Sequence, residues 1–559
     1  MLNDLVASES MSDKPVQQQP VPIARLYRYL MLVIILTLLV LLIYWYCQNF
    51  LIYPGLVNGK QRLLTISQET TRVTGPLDEL GFIDYAEALN EIMNSTLPAE
   101  QNAFVLYLEA LPATGQADPI VLKQVCEKLQ IPIPTLQPYG YDFESYLMHQ
   151  YPQPPTANQL ERVEHEKWTT SLLNEIKKPW KAAEHPDAKA WLDLVSPGLA
   201  LIKAGTQRPG YYCPYLSPAD LNERSAAGLI LPFTSQYRSI AVALNGRIML
   251  AIGEGDYRAA KDDLLVMNRL TRDAGQSITL VEQYVCAALD SCTFVGEIEF
   301  ANRCPDAELL RTYQTDLQEL PTLPELIHII DVAERLAALN LSQLLTRYSL
   351  GLEMPEVIQD IQLPVLVSVG NQLMTAYVDP NLIGKIINRH FDQIIAQLKL
   401  PRDQKLKGLN TLDLQLDVEF QRVGSAVSLT QSILSPQCRS KNMAIIILSN
   451  FIPDIPMSVK MKDRYDTRRH MVDLVLSLNR YRLEHGSYPD ALDNLVPQYQ
   501  ATIPLDLFTD LPFHYVSNGK EYELFSVGED GKVDAHHNMY RDGYSRFEDD
   551  IYASNKAEQ

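Results

Sequence analysis

Between Tyr29 and Tyr46 the chain runs through 18 residues without a charge, dense in Leu, Ile and Val. The run is apolar on every face rather than along one stripe, and at about 1.5 Å per residue it just reaches across a bilayer core, so it predicts a transmembrane helix over residues 29–47. Tyr27 and Tyr29 on one side, and Tyr44, Trp45 and Tyr46 on the other, sit where aromatic belts mark the two interfaces. Further on, the pattern becomes amphipathic. Ile240 to Ile252 carries an apolar stripe, Gly253-Glu254-Gly255-Asp256 reads as a turn, and Tyr257 to Ala274 places Ala260, Leu264, Leu265 and Met267 on one helix face. Helices are also expected at Thr279–Phe300, Asp306–Leu320 and Glu325–Arg347. Near the C-terminus Met471, Leu474, Val475, Leu478 and Tyr481 recur at three and four residues, and Gly486 with Pro489 supplies the stop. Short alternating runs then predict a hairpin: Phe513 to Val516, the turn Ser517-Asn518-Gly519, and Tyr522 to Val527.

These segments give a mainly α chain. The expected order is a disordered cytoplasmic tail at 1–28, the transmembrane helix at 29–47, a helical region with Pro-rich linkers at 48–235, helical hairpins at 236–347, further helices at 348–460, and a small α+β domain at 461–559. The apolar run is longer than the roughly 7–15 residues of a signal-peptide core, and no small-x-small cleavage site follows it. Arg25 and Arg28 flank it before, whereas the next basic residues after it are Lys60 and Arg62. That bias puts the N-terminus in the cytoplasm and the bulk outside, in the periplasm of a bacterial inner membrane. Met443 to Leu448 is too short to span and reads as a buried segment.

Roughly 510 residues beyond the anchor are too many for one core. The net charge of -20 argues against a nucleic-acid partner, which calls for clustered Lys and Arg. Beyond Cys47 the cysteines are Cys126, Cys213, Cys286, Cys292, Cys304 and Cys438, whose spacing matches neither a disulfide framework nor a zinc site. No phosphate loop, H-E-x-x-H helix or G-x-S-x-G turn is present. Glu164 and Glu166 around His165 offer acid-base groups, but the same residues make an ordinary solvated helix face.

Three resemblances follow. The stretch Gly253-Glu254-Gly255-Asp256-Tyr257 with Ala259, Ala260 and Asp263 resembles one tetratricopeptide-type hairpin, and a generic antiparallel helix pair fits the same residues. In such a hairpin Gly255 takes the left-handed backbone angle and Ala259 or Ala260 lets the helices approach.

The C-terminal stretch carries Tyr481-Arg482-Leu483-Glu484-His485-Gly486-Ser487-Tyr488-Pro489, Ile503-Pro504-Leu505-Asp506, and Leu524-Phe525-Ser526-Val527-Gly528-Glu529-Asp530-Gly531. It resembles the globular C-terminal half of the major pseudopilin of type II secretion systems, over about residues 465–552. With the anchor and the helical middle, the chain beyond about residue 235 also looks like a group of single-pass bacterial envelope proteins of no assigned activity. In the pseudopilin family the loop after this motif closes over calcium, a hard cation that takes six to eight oxygens. The resemblance implies Asp530, Asp534, Asp549 and Asp550 as candidate calcium ligands, with the Leu524 backbone in register with a carbonyl ligand.

The departures are Leu507, where the relatives have Pro, and the longer stretch Ala535–Asp542 containing His536 and His537. More than 400 residues separate the anchor from this module, so a filament subunit is not expected. The expected function is a membrane-anchored noncatalytic envelope scaffold that binds envelope proteins or peptides, linked to secretion. The alternative is a periplasmic hydrolase using carboxylates of the helical middle. The two differ in whether acidic or His side chains converge in a concave pocket.

Overall fold

A computed structural model describes residues 23–46, 64–93, 96–113, 118–152, 159–216, 234–349, 378–451, 454–529, 531–532 and 551–555. The chain divides into two units, residues 1–61 and 62–559. In the first, α1 (Ile23–Tyr46) is a single helix of 24 residues. Its Thr37 hydroxyl donates to the Val33 carbonyl at 2.8 Å, so the one aliphatic hydroxyl of the apolar run is satisfied within the helix. Side chains of α1 are described from Leu30 to Tyr44, a stretch of about 22 Å against a bilayer core of roughly 30 Å. Among the described residues no helix is long and apolar enough to cross a membrane. Of the disordered tail expected at 1–28, residues 1–22 lie outside the described residues, whereas residues 23–28 are helical, the first turns of α1.

The second unit is mainly helical with a small antiparallel sheet at its C-terminal end. Among the described residues of this unit, six α-helices precede residue 206: α2 (Tyr85–Ile92), α3 (Ala103–Glu109), α4 (Pro119–Leu129), α5 (Phe143–Gln150), α6 (Gln159–Glu175) and α7 (Pro186–Gly205). Each of α2 to α5 starts at an Asp or Asn whose side chain accepts a backbone N–H of the first turn. The expected hairpin follows as α8 (Thr234–Glu254) and α9 (Tyr257–Gln276). Gly255 takes φ +78° between them and Asp256 caps α9. The Asp263 carboxylate returns to α8, accepting from Arg247 Nε at 2.7 Å and Nη2 at 2.8 Å. Next comes α10 (Leu280–Arg303), opened by a reciprocal capping box between Thr279 and Glu282, then α11 (Ala307–Gln318). The helix expected at 325–347 is present as α12 (Leu326–Ile329) and α13 (Arg335–Ser349), joined by a π turn over Ile330–Glu334.

Four more helices are α14 (Pro380–Leu398), α15 (Arg402–Val423), α16 (Ala426–Leu434) and α17 (Pro436–Phe451). Met443 to Leu448 lies within α17, every residue 9% exposed or less, as the pattern predicts. The tail helix α18 spans Ile455–His485, 31 residues, and ends at Gly486 with φ 81°. The boundary expected at residue 461 therefore falls inside one continuous helix. Strands β1 (Leu505–Asp506) and β2 (Leu511–Pro512) pair with each other. The expected hairpin is β3 (His514–Ser517) against β4 (Tyr522–Ser526), and β5 (Ile551–Ser554) adds to the far side of β4.

One apolar core runs from Ala103 to Tyr313 and on through Met471, Leu474, Val475 and Leu478 to Tyr522, Leu524 and Ala553. A second joins α2, α13, α14 and α17. Asn302 of α10 reaches the C-terminal sheet. Asn302 Oδ1 accepts from the Tyr522 hydroxyl at 2.9 Å and from Asn479 Nδ2 at 3.1 Å, while its Nδ2 donates to the Ser554 carbonyl at 2.8 Å. The six described cysteines form no disulfide with one another.

Candidate functional site

The carboxylates of the helical middle gather where α9, α10 and α18 meet. Asp290 and Glu297 are two turns apart on α10, and Arg468 and Arg469 approach from α18. Arg469 Nη2 lies 2.7 Å from Glu297 Oε2 and 3.0 Å from Asp290 Oδ1, and Nη1 donates to Glu297 Oε1 at 3.0 Å. Arg468 stands 3.6 Å from Asp290 Oδ2. Tyr313 and Asn268 also donate to Glu297, at 2.8 Å and 2.9 Å. Glu297 is fully buried and Asp290 nearly so. Burial pushes the Asp290 carboxyl up while the two guanidiniums pull it down. This is a cross-link between helices: both Glu297 oxygens and Asp290 Oδ1 meet protein donors, while Asp290 Oδ2 has Arg468 near it but no hydrogen-bond partner among the described residues.

A second group of polar side chains does line a cavity. On α15, Leu409, Leu412, Asp413, Leu416 and Asp417 fall at i, i+3, i+4, i+7 and i+8, one stripe of the helix. That stripe faces His390 and Ile394 of α14, Leu448 and Ser449 of α17, and Asp454, Ile455 and Pro456 at the start of α18. Together they enclose a cavity of about 210 Å³. Leucines and isoleucines make its floor, and Leu409, Leu448 and Ile455 belong to the second core. Asp413, Asp417 and Asp454 stand at exposed positions around the mouth. Asp454 already caps α18, its Oδ1 accepting the Met457 N–H at 2.8 Å. Partial burial and then the neighbouring charges of Asp417 and Asp454 raise the Asp413 pKa. Burial lowers that of His390, which is therefore neutral at pH 7, although Glu419 opposes the shift. The Ser449 hydroxyl oxygen is buried and has no hydrogen-bond partner among the described residues.

None of the cavity residues stands out in the sequence. The available signal is the pair of aspartates inside a leucine stripe on α15, which reads equally as the edge of a solvated face. Of the residues that do stand out, Asp530, Asp534, Asp549 and Asp550 lie outside the described residues, as do His536 and His537. Glu529 of the same motif faces cations of α18, 3.1 Å from Lys460 and 3.9 Å from Arg464. Leu524 sits on the central strand in register with Tyr515 and Ala553. Asp506 is buried and accepts the Phe508 N–H at 2.9 Å, a turn-building role. Glu166 is exposed on α6. Among the described residues no group of three His, Cys, Asp or Glu side chains is placed to hold a metal ion.

No protein-family model, curated protein or solved structure matches this chain. Its own side chains carry the functional argument.

Proposed function

We propose that this chain is a membrane-anchored, noncatalytic interaction protein of the bacterial envelope, its N-terminus in the cytoplasm and its helical body in the periplasm, where it binds an envelope protein or peptide in the cavity between α14, α15, α17 and α18. The observation that carries this reading is the state of the buried carboxylates. Asp290, Glu297, Asp263 and Glu282 are all engaged by Arg, Tyr, Asn or Thr side chains that hold helices together. A hydrolase built on the helical middle needs such groups free and facing a substrate. In the cavity, His390 forms no hydrogen bond to Asp413, Asp417 or Asp454 among the described residues, so the groups there do not make an acid-base pair.

The anchor is supported by the uncharged run from Tyr29 to Tyr46, which lies within α1 and whose side chains from Leu30 to Leu36 and from Leu38 to Tyr44 are 43–63% exposed. The C-terminal module, with its likeness to a pseudopilin globular domain, supports a link to secretion. The experiment is fractionation of cells expressing the full chain with a C-terminal tag. The protein should pellet with membranes, resist extraction by high salt, dissolve in detergent, and lose its tag to protease added to intact spheroplasts. A tag that survives that protease refutes the topology, and recovery in the soluble fraction refutes the anchor.

A further inference from the structure

We propose that the cavity between α14, α15, α17 and α18 is a recognition site for an aliphatic ammonium group, the head and methylene stem of a lysine side chain being its protein-borne form. This rests on the reading of the cavity as the binding element of the protein. Size decides first. Drug-sized pockets run from about 300 to 1,000 Å³, so a cavity of about 210 Å³ takes a side-chain-sized group and not a large cofactor. Polarity decides next. The floor of Ile394, Leu409, Leu448 and Ile455 favours methylenes, and the mouth carries the carboxylates of Asp413, Asp417 and Asp454. A carboxylate or phosphate ligand would meet three like charges there. A purely apolar ligand would fill the floor and leave the mouth unused. An alkyl ammonium satisfies both, since its stem is apolar and its head is a compact cation with three donors. The Ser449 hydroxyl, without a hydrogen-bond partner among the described residues, adds an acceptor in the lining.

Charge also indicates where the group comes from. The chain has a net charge of -20, so a second copy is a poor electrostatic match and a basic partner a good one. Residues 350–377, the longest internal stretch outside the described residues, contain neither Lys nor Arg and cannot supply the cation.

The test uses the full chain in detergent micelles, titrated by calorimetry with n-pentylamine, with n-pentanol and with a lysine blocked at both backbone ends. Binding of n-pentylamine is expected with a Kd on the order of 1 mM, as suits so small a ligand. Pentanol should bind at least tenfold more weakly, and raising the salt should weaken the amine but not the alcohol. Blocked lysine binding as well as the free amine identifies a partner side chain as the ligand; binding of the free amine alone identifies a small-molecule amine. The double variant D413N/D417N alters two exposed side chains, and an unchanged Tm shows that it folds. It should lose tenfold or more in amine affinity. Equal binding of amine and alcohol, wild-type affinity in the double variant, or no saturable amine binding overturns the proposal. Amine binding by a protein that fractionates as soluble would refute the anchor and leave this site standing. Membrane association and partner capture without amine binding would do the reverse.

Discussion

Arg469 is the side chain on which the junction of α9, α10 and α18 depends, because it faces Asp290 and Glu297 at once from a largely buried position. Removing it leaves two carboxylates in the interior, Asp290 facing Arg468 with Arg272 farther off, and Glu297 held by Tyr313 and Asn268. Breaking a buried pair from one side costs about 3–5 kcal/mol. Arg469→Ala should lower the unfolding free energy by that amount in urea, whereas the charge-free pair R469M/E297Q, which leaves Asp290 to Arg468, should recover part of the loss. A pH effect belongs at this scale too. Burial raises Asp273 from its ordinary 3.8 to about 7, against the hydrogen bond donated by Tyr107 and the charge of Arg269. Glu334 is raised from 4.5 to about 7 by the same cause, although it accepts the Leu280 N–H. Between the unfolded and folded pKa values the native state holds more protons than the unfolded chain, so stability falls as pH rises through that window and levels off above it. The Tm should be higher at pH 5 than at pH 8, and Asp273→Asn should narrow the gap. A Tm that rises from pH 5 to pH 8 would contradict the assignment.

Two glycines at the α8–α9 turn separate backbone strain from close packing. Gly255 has φ +78° with open space where a methyl group would stand, so Gly255→Ala meets conformational strain alone, about 1 kcal/mol. Gly253 has an ordinary helical backbone, but a Cβ there would stand 2.0 Å from the Trp180 carbonyl oxygen. Trp180 is held in place by its own N–H to Met249 O and its indole N–H to Gly246 O, so it cannot retreat cheaply. Gly253→Ala should therefore cost more, in the range of about 1–3 kcal/mol for overpacking or above it. Thermal unfolding of the two variants would show the order. The turn itself is legible from Gly255 and Asp256, as are the helix start near Thr279 and the Gly486 stop, because each of these signals is local. What Gly253 touches is not legible, since Trp180 comes from another part of the chain. The first half of α18 is hidden for a related reason. The partly buried Arg468 and Arg469 pair with carboxylates of α10, so charged residues stand where an apolar stripe would mark the helix before Met471. The cavity is hidden because Asp413 and Asp417 become a mouth only when α14, α17 and α18 close around α15.

At the scale of the whole molecule, the C-terminal pattern reads as a separate α+β domain, and its hairpin and helix stop are present. Its independence is another matter. The face of α18 that carries Met471, Leu474, Val475 and Leu478 belongs to the same apolar core as α8, α9 and α10, and all four residues are fully buried. The polar contacts repeat the pattern: Gln314 of α11 donates to Asp473 at 2.6 Å and to Ser477 at 3.0 Å, and Asn302 of α10 joins α18, β4 and β5. Excision of residues 461–559 would strip the cap at Asp454 and the first turns from α18, expose an apolar face, and leave Arg468 and Arg469 without their carboxylates. Each fully buried apolar side chain so exposed forfeits about 1.5–3 kcal/mol, and four of them approach the whole stability of a small domain. The excised fragment should show no cooperative thermal transition by circular dichroism and a collapsed amide proton spectrum by NMR. A dispersed spectrum with a sharp transition would mean that the sheet and the second half of α18 suffice, and that the module is an autonomous unit resting on the helical body.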